Sequence, residues 1–433
     1  MQHGGKAVYA YLMTSPGEIT RTLVPDPECH EDEILLQTEA VSICSTDVSY
    51  FRGHLFAEDW PIIPGHEYVG RVVEVGKRLR DDVRPGDRVT YWGQTDFGGM
   101  AEYRALRPLF PGRLGVETAW YTGRNFYDAD QAAAVVLPPH VPSDLASVIE
   151  PLTSVLRSLL LNPPKPGDTC VVLGCGPSAQ LAVQVLHRHL GAGPITVLDR
   201  NGERMDVALR HGASHAFNPD TQAAELEAFV RDHHDQYADY VFDALPHISA
   251  PGRPAGREDA PGKDIRELAM GLLRPGGSYV IYGATAVPQR LNTWMILAKG
   301  LRLLSTPFDV RSFPMARSAH VTAVALRLVE SGLVDPAPLI TTRACLDDEE
   351  AVREAFTGYG RGASMKTSLL APSVLLDHVR RTAAAATTAP GGTTPNGTAP
   401  IGVSPLRTSP ANASPVGIAP AGGAFVEQAG IPG

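Results

Sequence analysis

TCVVLGCGPSAQLAVQVLHRHLGAGPITVLDR, residues 169–200, passes from an apolar run through a glycine turn into a helical pattern, then into a second apolar run that ends on a carboxylate. "TCVVLGCG" reads as a buried strand, "PSAQLAVQVLHRHL" as a helix and "PITVLDR" as the next strand. Strands apolar on both faces and joined through helices require a parallel sheet with helices on each side. The alternation continues downstream. "GERMDVALRHG" is a helix closed by glycine, "YADYVFDAL" a strand, and "IRELAMGLLRPGGSYVIYG" a helix, a Pro-Gly-Gly turn and a strand. "SAPGRPAGREDAPGKD", residues 249–264, is too rich in Pro and Gly for regular structure and reads as an inserted surface loop.

The turn itself, "GCGPSA", follows a strand and opens a helix. Gly174 permits the turn, Gly176 lets a pyrophosphate approach the backbone, and Ala179 is small enough for close packing of helix on strand. Free N–H groups and the positive dipole end of the helix would face the phosphates. Asp199 ends the next strand, where a carboxylate can accept both hydroxyls of an adenosine ribose. Its charge favours NAD over the 2′-phosphate of NADP, although Arg200 beside it is able to offset that repulsion. The alternative is a plain βα turn with Asp199 as a helix cap.

Outward from this unit, Lys6 to about Val89 is strand-like: "KAVYAYL", "EILLQTEAVSIC" and "YVGRVVEVG" are separated by Pro, Gly and Asp. Residues 106–142 carry many Pro, Gly and aromatic residues without periodicity, which suits a substrate-facing loop or an oligomer contact. After Pro372 the chain turns to Ala, Thr, Pro, Gly and Ser, and disorder is expected over 372–433. At 433 residues the chain calls for more than one domain. A net charge of −9 without a basic cluster excludes nucleic-acid and anionic-membrane surfaces. Five scattered cysteines without a C-x-x-C pair exclude a disulfide framework and suit a reducing cytoplasm. No apolar run has the length of a signal peptide or a membrane span.

"IIPGHEYVGRVVEVG", residues 62–76, opens a strand with an imidazole and a carboxylate side by side, as a metal site would. Cys44 lies 22 residues before His66, and Glu150 precedes Pro151 at a helix start near the domain junction. Singly, each has a structural reading: a buried thiol, a strand-end histidine, carboxylates at a strand start and in a first helical turn.

Together with the glycine turn, the motifs "CSTD", "GHE", "PGDRV", "GGMAEY", "EPL", "GCGPSA", "LDR" and "RPGGSYVIYG" stand in the order found in zinc-dependent medium-chain dehydrogenases/reductases. The chain resembles the alcohol, polyol and threonine dehydrogenase branch over Lys6 to about Leu370. The resemblance implies an α/β fold: a GroES-like β-rich catalytic domain (1–154, completed by a return segment 309–371) and a Rossmann doubly wound parallel-sheet domain (155–308). It implies one catalytic zinc on Cys44, His66 and a carboxylate from Glu150 or Glu67, with a fourth position open. Zinc makes an alcohol acidic enough to deliver hydride to nicotinamide. By the same resemblance Thr46 takes the alcohol proton, Asp47 orients the histidine, and Ser154 contacts the nicotinamide end. Ser49 stands where many relatives have a relay histidine, and the four-cysteine structural zinc lobe is absent, since no cysteine lies between Cys44 and Cys170. A small alcohol or carbonyl substrate and a homodimer or homotetramer are further implications. The rival readings are a zinc-free quinone or enoyl reductase of the same fold and a nucleotide-binding protein without catalysis.

Overall fold

The computed structural model describes residues 7–55, 60–93, 97–113, 119–121, 127–129, 131–233, 237–245, 265–283, 291–307, 312–362 and 364–388. Six parallel strands form one sheet in the order His215–Phe217, Ile195–Leu198, Cys170–Leu173, Ala238–Asp243, Leu273–Ile281 and Arg302–Ser305. The first strand in sequence, Cys170–Leu173, is central, and the order reverses beside it, which opens a crevice at the carboxyl ends of the strands. Val171, Val172 and Leu173 are fully buried, each stabilising the fold by about 2 kcal/mol of apolar transfer. The helix Pro177–Arg188 starts directly after the turn, with Pro177 in its first turn and the apolar face Leu181, Ala182, Val185 and Leu186 in the core.

The second large sheet is mixed. Its path is Ile340–Cys345, Lys366–Leu370, Ile34–Ser42, Glu67–Val75, Arg88–Trp92, Ala132–Leu137 and Pro108–Leu109, with Tyr103–Leu106 also pairing Ile34–Ser42. Two strands of this sheet come from far along the chain: Lys366–Leu370 lies antiparallel to Ile34–Ser42, with Ser368 opposite Ser42. The helix Ile149–Leu161 runs between the two sheets and buries nearly every side chain from Ile149 to Leu159.

Two expectations need correction. The stretch 106–142 holds strands, and Ala132–Leu137 is an inner one, paired antiparallel with Arg88–Trp92 and parallel with Pro108–Leu109. Its run of Ala and Val lacks alternation because both faces are covered; Ala132, Ala133 and Ala134 are all buried. Disorder from Pro372 is also wrong at its start: Pro372–Thr388 is a helix, with Val374 and Leu375 packed on the core. Alanine-rich sequence is helix-forming once an apolar first turn anchors it. Residues 389–433 and the predicted loop 249–264 lie outside the described residues. Among the described residues no helix is long and apolar enough to cross a membrane.

Candidate active site

The short helix Ser45–Phe51 begins on Cys44, and Asp47, three residues in, reaches back to accept the Cys44 N–H at 2.9 Å. The other Asp47 oxygen accepts the Gly65 N–H at 2.9 Å, so one fully buried carboxylate ties the cysteine turn to the Gly-His-Glu turn. Gly65 has a φ of +94°, and a Cβ there would lie 2.7 Å from the Val41 side chain, so only glycine fits before the histidine. His66 follows with Nδ1 3.7 Å from Asp47 Oδ1.

Cys44, His66 and Glu67 thereby offer donor atoms that all lie within 4.8 Å of one another. Burial opposes a charged imidazole at His66, but the facing Asp47 and Cys44 side chains outweigh it and hold its pKa well above the ordinary value. Glu150, in the first turn of Ile149–Leu161, sits outside that trio but in its field. Burial lifts its pKa to about 7, His66 opposes the rise and Glu67 adds to it. Thiol, imidazole and carboxylate converging at one point, with Asp47 behind the histidine and His66 Nδ1 lacking a hydrogen bond, fit a zinc ion.

The other predicted residues fall in three groups. Thr46 Oγ1 lies 3.7 Å from Cys44 Sγ. Ser49 does not join it, because its hydroxyl donates to the Ser45 carbonyl at 2.8 Å. Ser154, one turn past Glu150, accepts the Trp92 indole N–H at 2.7 Å.

At the parallel sheet, Gly174 has a φ of +89° and Gly176 caps the helix, where an added Cβ would meet nothing within 4 Å. That open approach to backbone N–H groups fits a pyrophosphate. Ala179 is buried in the core. Asp199 accepts the N–H of Cys175 at 2.6 Å and of Asn201 at 2.7 Å, which fixes its carboxylate against the turn. Arg200 points to Asp220, with Nε 2.9 Å from the carboxylate.

Known proteins resemble this chain in sequence and fold. Residues 30–110 match the alcohol dehydrogenase GroES-like domain. An L-threonine 3-dehydrogenase of Anaeromyxobacter sp. (strain K) is 28% identical over 334 residues, covering 75% of this chain and 88% of the relative. One from Burkholderia thailandensis is 27% identical, covering 79% and 93%. Among solved structures, a zinc-binding dehydrogenase from Sinorhizobium meliloti bound to NADP superimposes with a TM-score of 0.63 at 23% identity, over 84% of this chain and all of that one. These similarities support placing the chain in the zinc-dependent medium-chain dehydrogenase/reductase family.

In this dehydrogenase two further buried cations flank the site, and sequence reasoning missed both. Lys366, at the start of Lys366–Leu370, pairs with Glu67 across 299 residues, both side chains being at most 3% exposed. Burial works against its charge, but Glu67 and Cys44 raise its pKa above the ordinary lysine value. The only sequence signal was a single lysine opening an apolar strand, "MKTSLL". Arg157, two turns after Glu150, is clasped between the Trp92 ring (3.9 Å) and the Phe313 ring (4.3 Å). Burial brings its pKa down to about 9, with Glu150 opposing the fall. A cavity of about 600 Å³ lined by Glu39, Arg71, Arg88 and Arg381 lies under the C-terminal helix, away from this chemistry. Arg71 and Arg88 are already engaged there by Glu39, Ser143 and the Pro138 carbonyl.

Proposed function

We propose that the chain is a zinc- and NAD-dependent dehydrogenase of a secondary alcohol, polyol or amino alcohol. The convergence of Cys44, His66 and Glu67 carries this reading, because a zinc-free reductase has no use for a thiol, an imidazole and a carboxylate brought together at one point. We assign the resting ligands as Cys44, His66 and Glu150. Glu67 is neutralised by Lys366, whereas Glu150 has no hydrogen bond or ion pair with a described residue and gains most from a cation. Glu67 stands ready to replace it. A zinc ion held there would supply Lewis acidity to an alcohol, and NAD would serve as the hydride acceptor.

The chain's own residues do the rest. Asp47 fixes the position of both Cys44 and His66. Thr46 would accept the alcohol proton while giving up its own hydroxyl proton to solvent; the Ser49 proton is committed to a helix carbonyl, so the outward route does not begin there. Ser154, held by Trp92, would contact the nicotinamide end of a bound cofactor. Gly174, Gly176 and Asp199 would hold the pyrophosphate and ribose of NAD.

One catalytic zinc and no structural zinc complete the assignment. We also assign a reducing cytoplasm, in keeping with five free thiols. Assembly as a homodimer is supported by the exposed Trp294 and Leu297 beside the edge strand Arg302–Ser305. Reduction of NAD at 340 nm with L-threonine, 2,3-butanediol and hexitols, before and after zinc chelation, tests the reading. Chelator-sensitive turnover of one of these classes supports it, and turnover indifferent to zinc removal refutes it.

A further inference from the structure

We propose that Asp220 sets cofactor choice by holding Arg200 away from the adenosine ribose. The proposal rests on the reading of residues 174–199 as a dinucleotide site and adds a positioning residue to it. A 2′-phosphate carries close to two negative charges, and at this site it would meet the Asp199 carboxylate. Arg200 is the adjacent cation able to compensate. Its guanidinium is instead engaged, with Nε 2.9 Å from Asp220 Oδ2.

The carboxylate that engages it is built into place. The strand His215–Phe217 runs parallel to Ile195–Leu198, and the Asp199 N–H donates to the Phe217 carbonyl at 3.2 Å. The loop after that strand folds on Asn218. Its side-chain oxygen accepts the N–H of Asp220 at 3.0 Å and of Thr221 at 3.3 Å, while its Nδ2 donates to the Arg200 carbonyl at 3.0 Å. One asparagine therefore fixes the backbone at both ends of the ion pair. Asp199 is held separately, by the N–H groups of Cys175 and Asn201, so a change at Asp220 leaves the ribose acceptor in place.

Both partners are exposed, with side chains 64% and 58% accessible, so the pair is a bias rather than a lock and its effect is several-fold. Asp220→Asn keeps the shape and removes the charge. Titration of protein fluorescence with NADPH and NADH, without substrate, should show the NADPH Kd falling about three- to fivefold in D220N while the NADH Kd stays within twofold. In an Arg200→Gln background the same replacement should shift NADPH binding less than twofold.

An unchanged NADPH Kd in D220N overturns the proposal. So does an equal gain in the R200Q background, which would make Asp220 a bare repelling charge. The wild-type titration separates this from the underlying reading: a chain that binds neither nucleotide lacks the dinucleotide site altogether, whereas NADH binding with no D220N effect removes Asp220 alone.

Discussion

At the glycine turn of the parallel sheet the functional groups are mostly backbone amides, confined to one βα unit between Gly174 and Asp199. At the mixed sheet they are side chains that arrive from four segments: Cys44, the His66–Glu67 turn, Glu150 and Lys366. The first is, in the proposed function, a surface for a dinucleotide to lie on. The second is a largely buried set of opposed charges, in which each member depends on the others. Replacing a residue should therefore have graded consequences at the turn and severe ones at the cluster.

The largest effect tests that contrast at the metal. Cys44→Ser or His66→Ala should slow hydride transfer by about a thousandfold, the equivalent of about 4 kcal/mol of lost Lewis-acid stabilisation, with NADH affinity within a few-fold of wild type. Turnover retained in either variant would break the comparison. Next comes Lys366→Met, which leaves Glu67 buried without its counter-charge. Thermal and urea denaturation should report a loss of about 3–5 kcal/mol, largely restored by adding Glu67→Gln. An additive double variant would mean that the pair is not coupled.

A smaller effect is expected at the turn. Asp199→Ala removes the ribose acceptor and should weaken NAD binding about tenfold, while relaxing discrimination against NADP. Isothermal titration with both nucleotides measures this, and an undiminished preference would place selection elsewhere.

The mildest probe is pH. In metal-free protein the Glu150 pKa is raised to about 7, so the folded state binds a proton that the unfolded chain releases near its ordinary value. This group's contribution to stability falls as pH climbs from about 4.5 to about 7 and is level above that. Glu150→Gln should flatten that part of the stability profile. A profile unchanged by the replacement would show that Glu150 is not the titrating group.

The same contrast explains what was legible in the sequence. Gly174, Gly176 and Asp199 announce themselves because glycine and a strand-end carboxylate are local requirements of one turn. Cys44, His66 and Glu150 were readable as donor types in the order of a known family, and Asp47 through the same resemblance. Lys366 was not, because its partner lies 299 residues away and only the pairing of Lys366–Leu370 with Ile34–Ser42 brings them together. Arg157 looks like any helical arginine until Trp92 and Phe313 close on it. The helix Pro372–Thr388 was hidden by composition, since its Ala and Thr suit a disordered tail and only Val374 and Leu375 betray an anchored face.

Zinc content bears most directly on the claim that the buried cluster is a metal site. Elemental analysis of protein purified without chelator should find about one zinc per chain, and Cys44→Ser should lose it while still binding NADH. No zinc in the wild-type protein, or full occupancy in the Cys44→Ser variant, would contradict the account.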